Sequence, residues 1–433
     1  MTDSAPETAL VTPRFEEAVG LWLKVGVISF GGPAAQIAIL HEELVHRRRW
    51  VSETTFLTAL NYCMLLPGPE AQQLATYMGL KLHGVRGALA AGVLFVLPGA
   101  GVLFALAWLA AAHGNWPPLQ AAFKGVLPIV VALVAQAVWR IGGRTLKTPA
   151  AWIAAVGAFI GLGLLKIAFP WIIAAALVLG LVADRLQHGP GAPDPSAAPE
   201  APLDWRRHAV RLAGLSGLFA ALWAAPVALV LTLFGAHPFA EVAGFFTKAA
   251  FVTFGGAYAV LPYVAQAAVD HYGWLSRTEM VHGLALAETT PGPLILVTQY
   301  VGFFAGWNAA GRGMAGGLSP LAAGGISAAL TTWVTFLPCF YFVLAGAPLV
   351  DRLANNRRAH AALSGVTSAV VGVIATLALL VAREAFAPGG RLDPIAIVLA
   401  VVALIAAIRF KVGPLWLVAV GAGLGILRGV AGI

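Results

Sequence analysis

The chain is poor in charge. Asp, Glu, Lys and Arg make up 11% of its 433 residues, against about 25% in a soluble globular domain; an ordinary soluble globule is thereby excluded. It has two cysteines, Cys63 and Cys339. They lie far apart and form no CxxC motif, which excludes a disulfide framework and a redox pair and leaves them as small packing residues. No nucleotide P-loop and no HExxH is present, and the ten histidines show no metal-ligand spacing. His41 and His46, beside Glu42 and Glu43, read as surface residues. ATP hydrolysis and metal catalysis are therefore not expected, nor is any enzymatic role, metal or cofactor. The opening stretch, MTDSAPETAL, is polar and acidic rather than basic and then apolar, so no cleaved signal is expected. The net charge of +8 comes without a basic stripe interleaved with aromatics, which argues against nucleic acid. The basic residues cluster in short segments such as Arg47-Arg48-Arg49, Arg206/Arg207/Arg211 and Arg357-Arg358, as the positive-inside rule would place them.

What is abundant is apolar sequence: 59% of residues are hydrophobic, with 49 glycines and 27 prolines, several of them inside the apolar runs. Runs near 20 residues suit crossings of a hydrocarbon core about 30 Å thick. The fold class expected is an all-α polytopic membrane protein of about 13 spans: 15–40, 54–82, 86–112, 119–141, 149–165, 167–186, 209–235, 239–266, 279–304, 324–346, 359–384, 393–409 and 411–428. The expected domains are a cytoplasmic tail (1–14), a first repeat (15–186), a Pro-rich linker (187–208), a connecting helix (209–235) and a second repeat (236–433). Six spans, one, then six would make the repeats inverted in topology. Re-entrant PGP segments would remove one crossing from each half and make the halves parallel. With the N-terminus inside, cytoplasmic segments hold about twice as many Lys and Arg as outer ones. Arg47-Arg48-Arg49 falls on the wrong side, which fits a surface helix or a first span that does not cross fully.

The repeat is visible in two motifs. Phe30-Gly31-Gly32 recurs as Phe254-Gly255-Gly256, and Pro67-Gly68-Pro69 as Pro291-Gly292-Pro293, both 224 residues on. Paired glycines in mid-span let a helix unwind, and Pro33 suits the first position of a new one. Backbone N–H groups freed there can hold an anion; close helix packing through glycine is the plainer reading. Two prolines around a glycine cannot continue a helix. The PGP segments are expected to join half-helices inside the membrane, against protein or a watery cavity, or to be loops at the bilayer surface.

Polar side chains gather beside these breaks: Glu70, Gln72 and Gln73 in the first half, Glu288 and Gln299 in the second. They could bind an oxyanion or bond helix to helix. Lys24 and Lys248 each precede the Phe-Gly-Gly by six residues. A charge inside a span is a functional hypothesis by default, with snorkelling to the interface as the alternative. Glu70 and Glu288 are candidate proton carriers.

The duplicated pattern resembles the chromate ion transporter family in its long two-domain form. The matching stretches are Val27 to Pro33, Leu66 to Gly79, Phe251 to Ala257 and Thr290 to Pro293. The second half departs from the first at Ala257, opposite Pro33, and at Leu294, opposite Glu70. The resemblance implies export of chromate, a tetrahedral dianion, across a bacterial inner membrane. A sulfate-type importer, an anion channel and a non-transport scaffold are the alternatives. The expected partners are chromate (or sulfate), the lipid bilayer and a second copy of the chain.

Overall fold

The computed structural model describes residues 10–188, 204–354 and 356–431. Most of the expected linker and residues 1–9 of the expected tail lie outside the described residues. Within them the chain is helical throughout. The first half holds α1 (Phe15–Ile28), α2 (Gly32–His41), α3 (Glu53–Leu65), α4 (Glu70–His113), α5 (Pro117–Thr145), α6 (Pro149–Gly163) and α7 (Phe169–His188). Then come α8 (Trp205–Phe234), α9 (Phe239–Val252), α10 (Ala257–Gln266), α11 (Arg277–Thr289), α12 (Val297–Gly311) and α13 (Pro320–Gly346). The last four are α14 (Val350–Ala354), α15 (Arg357–Phe386), α16 (Pro394–Arg409) and α17 (Pro414–Ala431). α2 and α10 each run on into a short π-helical turn, Glu42–Arg47 and Ala267–His271. The helix α4 is broken at His83 and Gly84, whose backbone is not helical.

Among the described residues, seven helices are long and apolar enough to cross a membrane: α4, α5, α7, α8, α13 with the turn after it, α15 and α17. Two more, α6 and α16, are apolar but shorter. The chain is thus a multi-pass membrane protein, but with fewer membrane-length helices than the thirteen expected spans. The reason is length. At 1.5 Å per residue, the 14 residues of α1 and the 13 of α3 cover about 20 Å, short of a bilayer core. The long helices carry an apolar exterior. α8 buries almost none of its surface, and Leu218, Leu222, Leu229 and Leu233 are exposed on it, a face suited to lipid.

The short helices come in hairpins. Val11 N–H donates to the Arg49 carbonyl (3.0 Å), and His83 Nε2 lies 3.1 Å from the Pro13 carbonyl oxygen. The start of α1, the turn after α2 and the break in α4 therefore share one end of the molecule. α1 with α2, and α3 with the first part of α4, each go in and come back. The second half has a matching set of contacts of its own. Asn308 Nδ2 donates to the Trp274 carbonyl (2.9 Å) and the Arg312 guanidinium to that of Gly273 (3.2 Å). A Cβ at Gly316 would meet the Phe234 backbone. The end of α8, the turn after α10 and the end of α12 thus lie together.

Candidate functional site

Each hairpin reverses at one of the four motifs, and the motifs dictate how. Phe30 N–H donates to the Ile28 carbonyl and Phe254 N–H to that of Val252. These bonds close inverse γ-turns centred on Ser29 and Thr253, with φ and ψ of −78° and 73°, and −79° and 83°. The glycines that follow all take positive φ: 89° and 80° at Gly31 and Gly32, 75° and 90° at Gly255 and Gly256. Side chains with a Cβ resist that region. Both PGP segments have one positive-φ glycine, Gly68 at 127° and Gly292 at 87°, held between prolines that cannot donate. All six PGP residues are buried in protein.

The four tips meet, and they meet crosswise. Gly68 N–H donates to the Thr253 carbonyl (2.7 Å), and Gly292 N–H donates to the Ser29 carbonyl (2.9 Å). Each PGP tip is therefore bonded to the FGG tip of the other half. Donors and acceptors correspond at the 224-residue offset, so the contact is isologous, like that of a twofold dimer. The neighbours correspond as well. A Cβ at Gly99, which follows Pro98 inside α4, would land on the Pro291 carbonyl. Cys339, which follows Pro338 inside α13, lies against Gly68, its Sγ 3.0 Å from where a Cβ there would sit.

Four helical segments begin at this junction: α2, α4, α10 and the turn Leu294–Leu296 that leads into α12. None has a side-chain cap on its first N–H groups. Elsewhere capping is the habit. Ser52, Thr148, Asp204, Ser276, Ser319, Asn356 and Asp393 each accept from the first turn of the helix they open. α1, α5 and α9 also lack such a cap, but they do not start at the junction. Uncapped starts converging in the interior leave orphan donors with the positive end of the helix dipole behind them. That arrangement can hold an oxyanion without a fixed counter-charge.

The polar side chains sort unevenly around the junction. Gln36 Nε2 donates to the Gly292 carbonyl (2.6 Å) and to that of Ser29 (3.3 Å), tying one crossed pair of tips together. Gln73 Nε2 donates to the Pro67 carbonyl (2.7 Å), Gln72 Nε2 to Thr76 Oγ1 (3.1 Å) and Gln299 Nε2 to the Ala100 carbonyl (2.9 Å). The Oε1 atoms of all four, with Ser29 Oγ, are buried without a partner among the described residues, at a density that calls for water or a ligand. Glu70 opens α4, its Oε1 3.8 Å from where a Cβ of Gly256 would lie. A carboxylate thus faces the start of α10. Glu288, just before the second PGP, accepts from the Tyr258 hydroxyl (2.6 Å).

The structure brings together the FGG and PGP residues, Glu70 and Gln73. It does not bring the lysines in with them. Lys24 is half exposed and bonded to Glu43 (2.8 Å), so its charge is already matched. Lys248 is exposed on α9, with no ion-pair partner among the described residues. Pro33 starts α2 beside Gly32, as expected of a first-turn proline. Sequence reasoning passed over Gln36 and Tyr258, quoted Thr253 only as part of a matched motif, and named Glu43 only as a neighbour of the surface residues His41 and His46, whereas the structure buries it. Glu43 had a signal, an acid where the chain returns past Lys24. Gln36 had none beyond its polarity.

A family model described as "Chromate transporter" matches residues 17–181 and 240–426. A chromate transport protein of Pseudomonas aeruginosa is 35% identical over 379 residues, covering 86% of this chain and 82% of that protein. A chromate transport protein of Cupriavidus metallidurans is 26% identical over 380 residues, 86% of this chain and 84% of that protein. The uncharacterized transporter YwrA of Bacillus subtilis is 31% identical over 163 residues, 36% of this chain but 90% of that protein. No solved structure matches.

Proposed function

We propose, for a chain that belongs to the chromate transporter family, that it exports chromate from the cytoplasm through the junction of the four hairpin tips. It is a secondary membrane transporter, without a catalytic signature. The two family matches fit a division into repeats of residues 15–186 and 236–433, joined by the linker and α8. The membrane is the bacterial inner membrane, with the N-terminus cytoplasmic. Nine helices or helix segments cross it: the second part of α4, then α5, α6, α7, α8, α13, α15, α16 and α17. The four tips enter as re-entrant hairpins, two from each face. Each half loses two crossings relative to the thirteen-span reading, not one, so the halves stay inverted, a recurrent transporter plan. The same arrangement moves Arg47-Arg48-Arg49 to the cytoplasmic face and sends only Arg277 outward, which sharpens the positive-inside bias.

The observation that carries the reading is the crossed pair of bonds, Gly68 to Thr253 and Gly292 to Ser29. Inverted hairpins meeting tip to tip place four uncapped helix starts at one depth, open in turn to either face as one repeat rocks against the other. The substrate ligands are the backbone of Phe30 to Pro33, Pro67 to Pro69, Phe254 to Gly256 and Pro291 to Pro293, with Gln72, Gln73 and Gln299 around them. Glu70 and Glu288 are the proton carriers. Export suits a dianion. Leaving a negative-inside cell yields about 4.6 kcal/mol per 100 mV, at about 2.3 per charge. At about 1.4 kcal/mol per tenfold, that sustains a gradient of more than about a thousandfold.

Two measurements test this. Purified protein in liposomes should move chromate down an imposed potassium diffusion potential, with sulfate as competitor; chromate flux indifferent to the potential would defeat the transport reading. Cysteines placed by Glu42→Cys and Arg277→Cys should be labelled from opposite faces. Labelling from the same face would defeat the inversion.

A further inference from the structure

The corner between α2 and α3 gathers three side chains that nothing in the transport reading uses. His41 ends α2, His46 lies in the π-helical turn and Glu53 opens α3. Their ligand atoms all lie within 4.8 Å of one another, and His41 Nε2 is 2.8 Å from Glu53 Oε2. The imidazoles of His41 and His46 meet edge to face at 4.7 Å. The π turn is what brings them together. At 3.6 residues per α-helical turn, positions five apart point to different sides. Where the bonding is i to i+5, five residues nearly close the turn.

The neighbouring charges leave this trio alone. Lys24, Arg47 and Arg48 all bond Glu43, and Arg47 also takes Glu42. Glu53 has no Lys or Arg partner among the described residues. The second repeat offers a comparison. At the 224-residue offset His46 and Glu53 become Asp270 and Arg277, and those two form an ion pair at 3.4 Å. The position is a clamp between the π turn and the next helix in both halves. One half closes it with an ion pair, whereas the other presents two imidazoles and a carboxylate.

We propose that His41, His46 and Glu53 form a site for a first-row divalent transition metal such as Zn2+, which clamps the two cytoplasmic-side hairpins of the first repeat together. Two imidazole nitrogens and one carboxylate oxygen suit such an ion, with water in the remaining position. Bonds of about 2.0–2.2 Å ask only rotamer adjustment of side chains that are exposed or half exposed.

The test uses the full chain in detergent, on a tag without histidine, stripped with EDTA. Titration with Co2+ should raise a saturable visible absorption band, and Zn2+ should raise the Tm. His46→Asn and His41→Asn should each weaken Co2+ binding by about tenfold or more and cancel the Zn2+ effect on Tm. Both should keep the metal-free Tm of the parent, which shows that they fold. A parent with no saturable Co2+ band, or a double His41→Asn/His46→Asn variant that keeps it, would overturn the proposal. So would a parent Tm that is the same in Zn2+ as in EDTA.

Discussion

The two repeats keep one geometry and carry different chemistry. α1 and α9 match residue for residue at the 224 offset, as do α3 and α11, and the crossed tip bonds match donor for donor. The side chains have drifted apart. Opposite Gln36 stands Val260, opposite Gln73 Val297, opposite Glu70 Leu294. Opposite Glu288 stands Met64, and opposite Glu43 Ala267. Backbone bonds at glycine tips tolerate no substitute, so they stay paired. Side chains that tune the junction need to be present only once. The difference separates the tip backbone, which is duplicated, from the side chains around it, which are not.

The strongest way to break this comparison is to attack the shared part. Gly68→Leu and Gly292→Leu should each abolish chromate flux in proteoliposomes, and to a similar degree. A left-handed backbone costs a β-carbon residue about 1–3 kcal/mol. At Gly68 the new Cβ would also crowd Gln73 and Cys339, at 2.8 and 3.0 Å. Gly20→Leu is the control, since nothing lies within 4 Å of a Cβ there. Full flux from either tip variant would mean that the two crossings are not equivalent.

Next comes the unshared carboxylate. Glu70→Gln should keep flux driven by potential but lose its acceleration by an imposed pH gradient. Leu294→Glu in that background should not restore it, because the two PGP tips are held by different side chains, the first by Gln73 from its own half and the second by Gln36 from the other half. If Glu70→Gln responds to the pH gradient as the parent does, proton coupling does not run through this residue.

How far the sequence foretold this follows from which forces are local. The breaks were legible, because proline and paired glycine interrupt a helix whatever surrounds them, and the duplication needed only identity at a fixed spacing. The direction taken after each break was not legible. A run such as 15–40 is apolar enough to span, and its reversal rests on contacts like Val11 to Arg49 and His83 to Pro13 that no window of sequence contains. The misplaced Arg47-Arg48-Arg49 was the one trace of it. The junction was legible in the same measure: the four backbone segments that meet there could be named, whereas Gln36 is a single polar residue on an apolar helix, indistinguishable from one that merely packs.

Gln36 gives a smaller and sharper test. Gln36→Leu removes the donor shared by Gly292 and Ser29 and leaves a buried carbonyl short of a partner, worth about 1–3 kcal/mol. Thermal unfolding in detergent should show a loss of that order. Val260→Leu, at the corresponding place in the other half, should lose clearly less. Equal losses would mean that the glutamine contributes only packing.

The smallest effect expected is at the Lys24 corner. Burial by itself would raise the Glu43 carboxyl, but the hydrogen bond and charge of Lys24, with those of Arg48, hold it below the usual glutamate range. A carboxyl lowered on folding stabilises the folded state above its unfolded pKa, about 4.3. That contribution is lost as pH falls through the folded value. Lys24 is 45% exposed, so solvent screens the pair and the contribution is modest. Below about pH 4 the parent should therefore lose stability faster than Glu43→Gln, whose neutral amide has no proton to take up. Above about pH 6 the variant should be the less stable of the two. In the second repeat Ala267 stands where Glu43 would be, so Lys248→Ala should leave the shape of the pH profile unchanged. A parent and a Glu43→Gln variant with parallel acid limbs would show that the Lys24–Glu43 pair adds nothing to the stability of this corner.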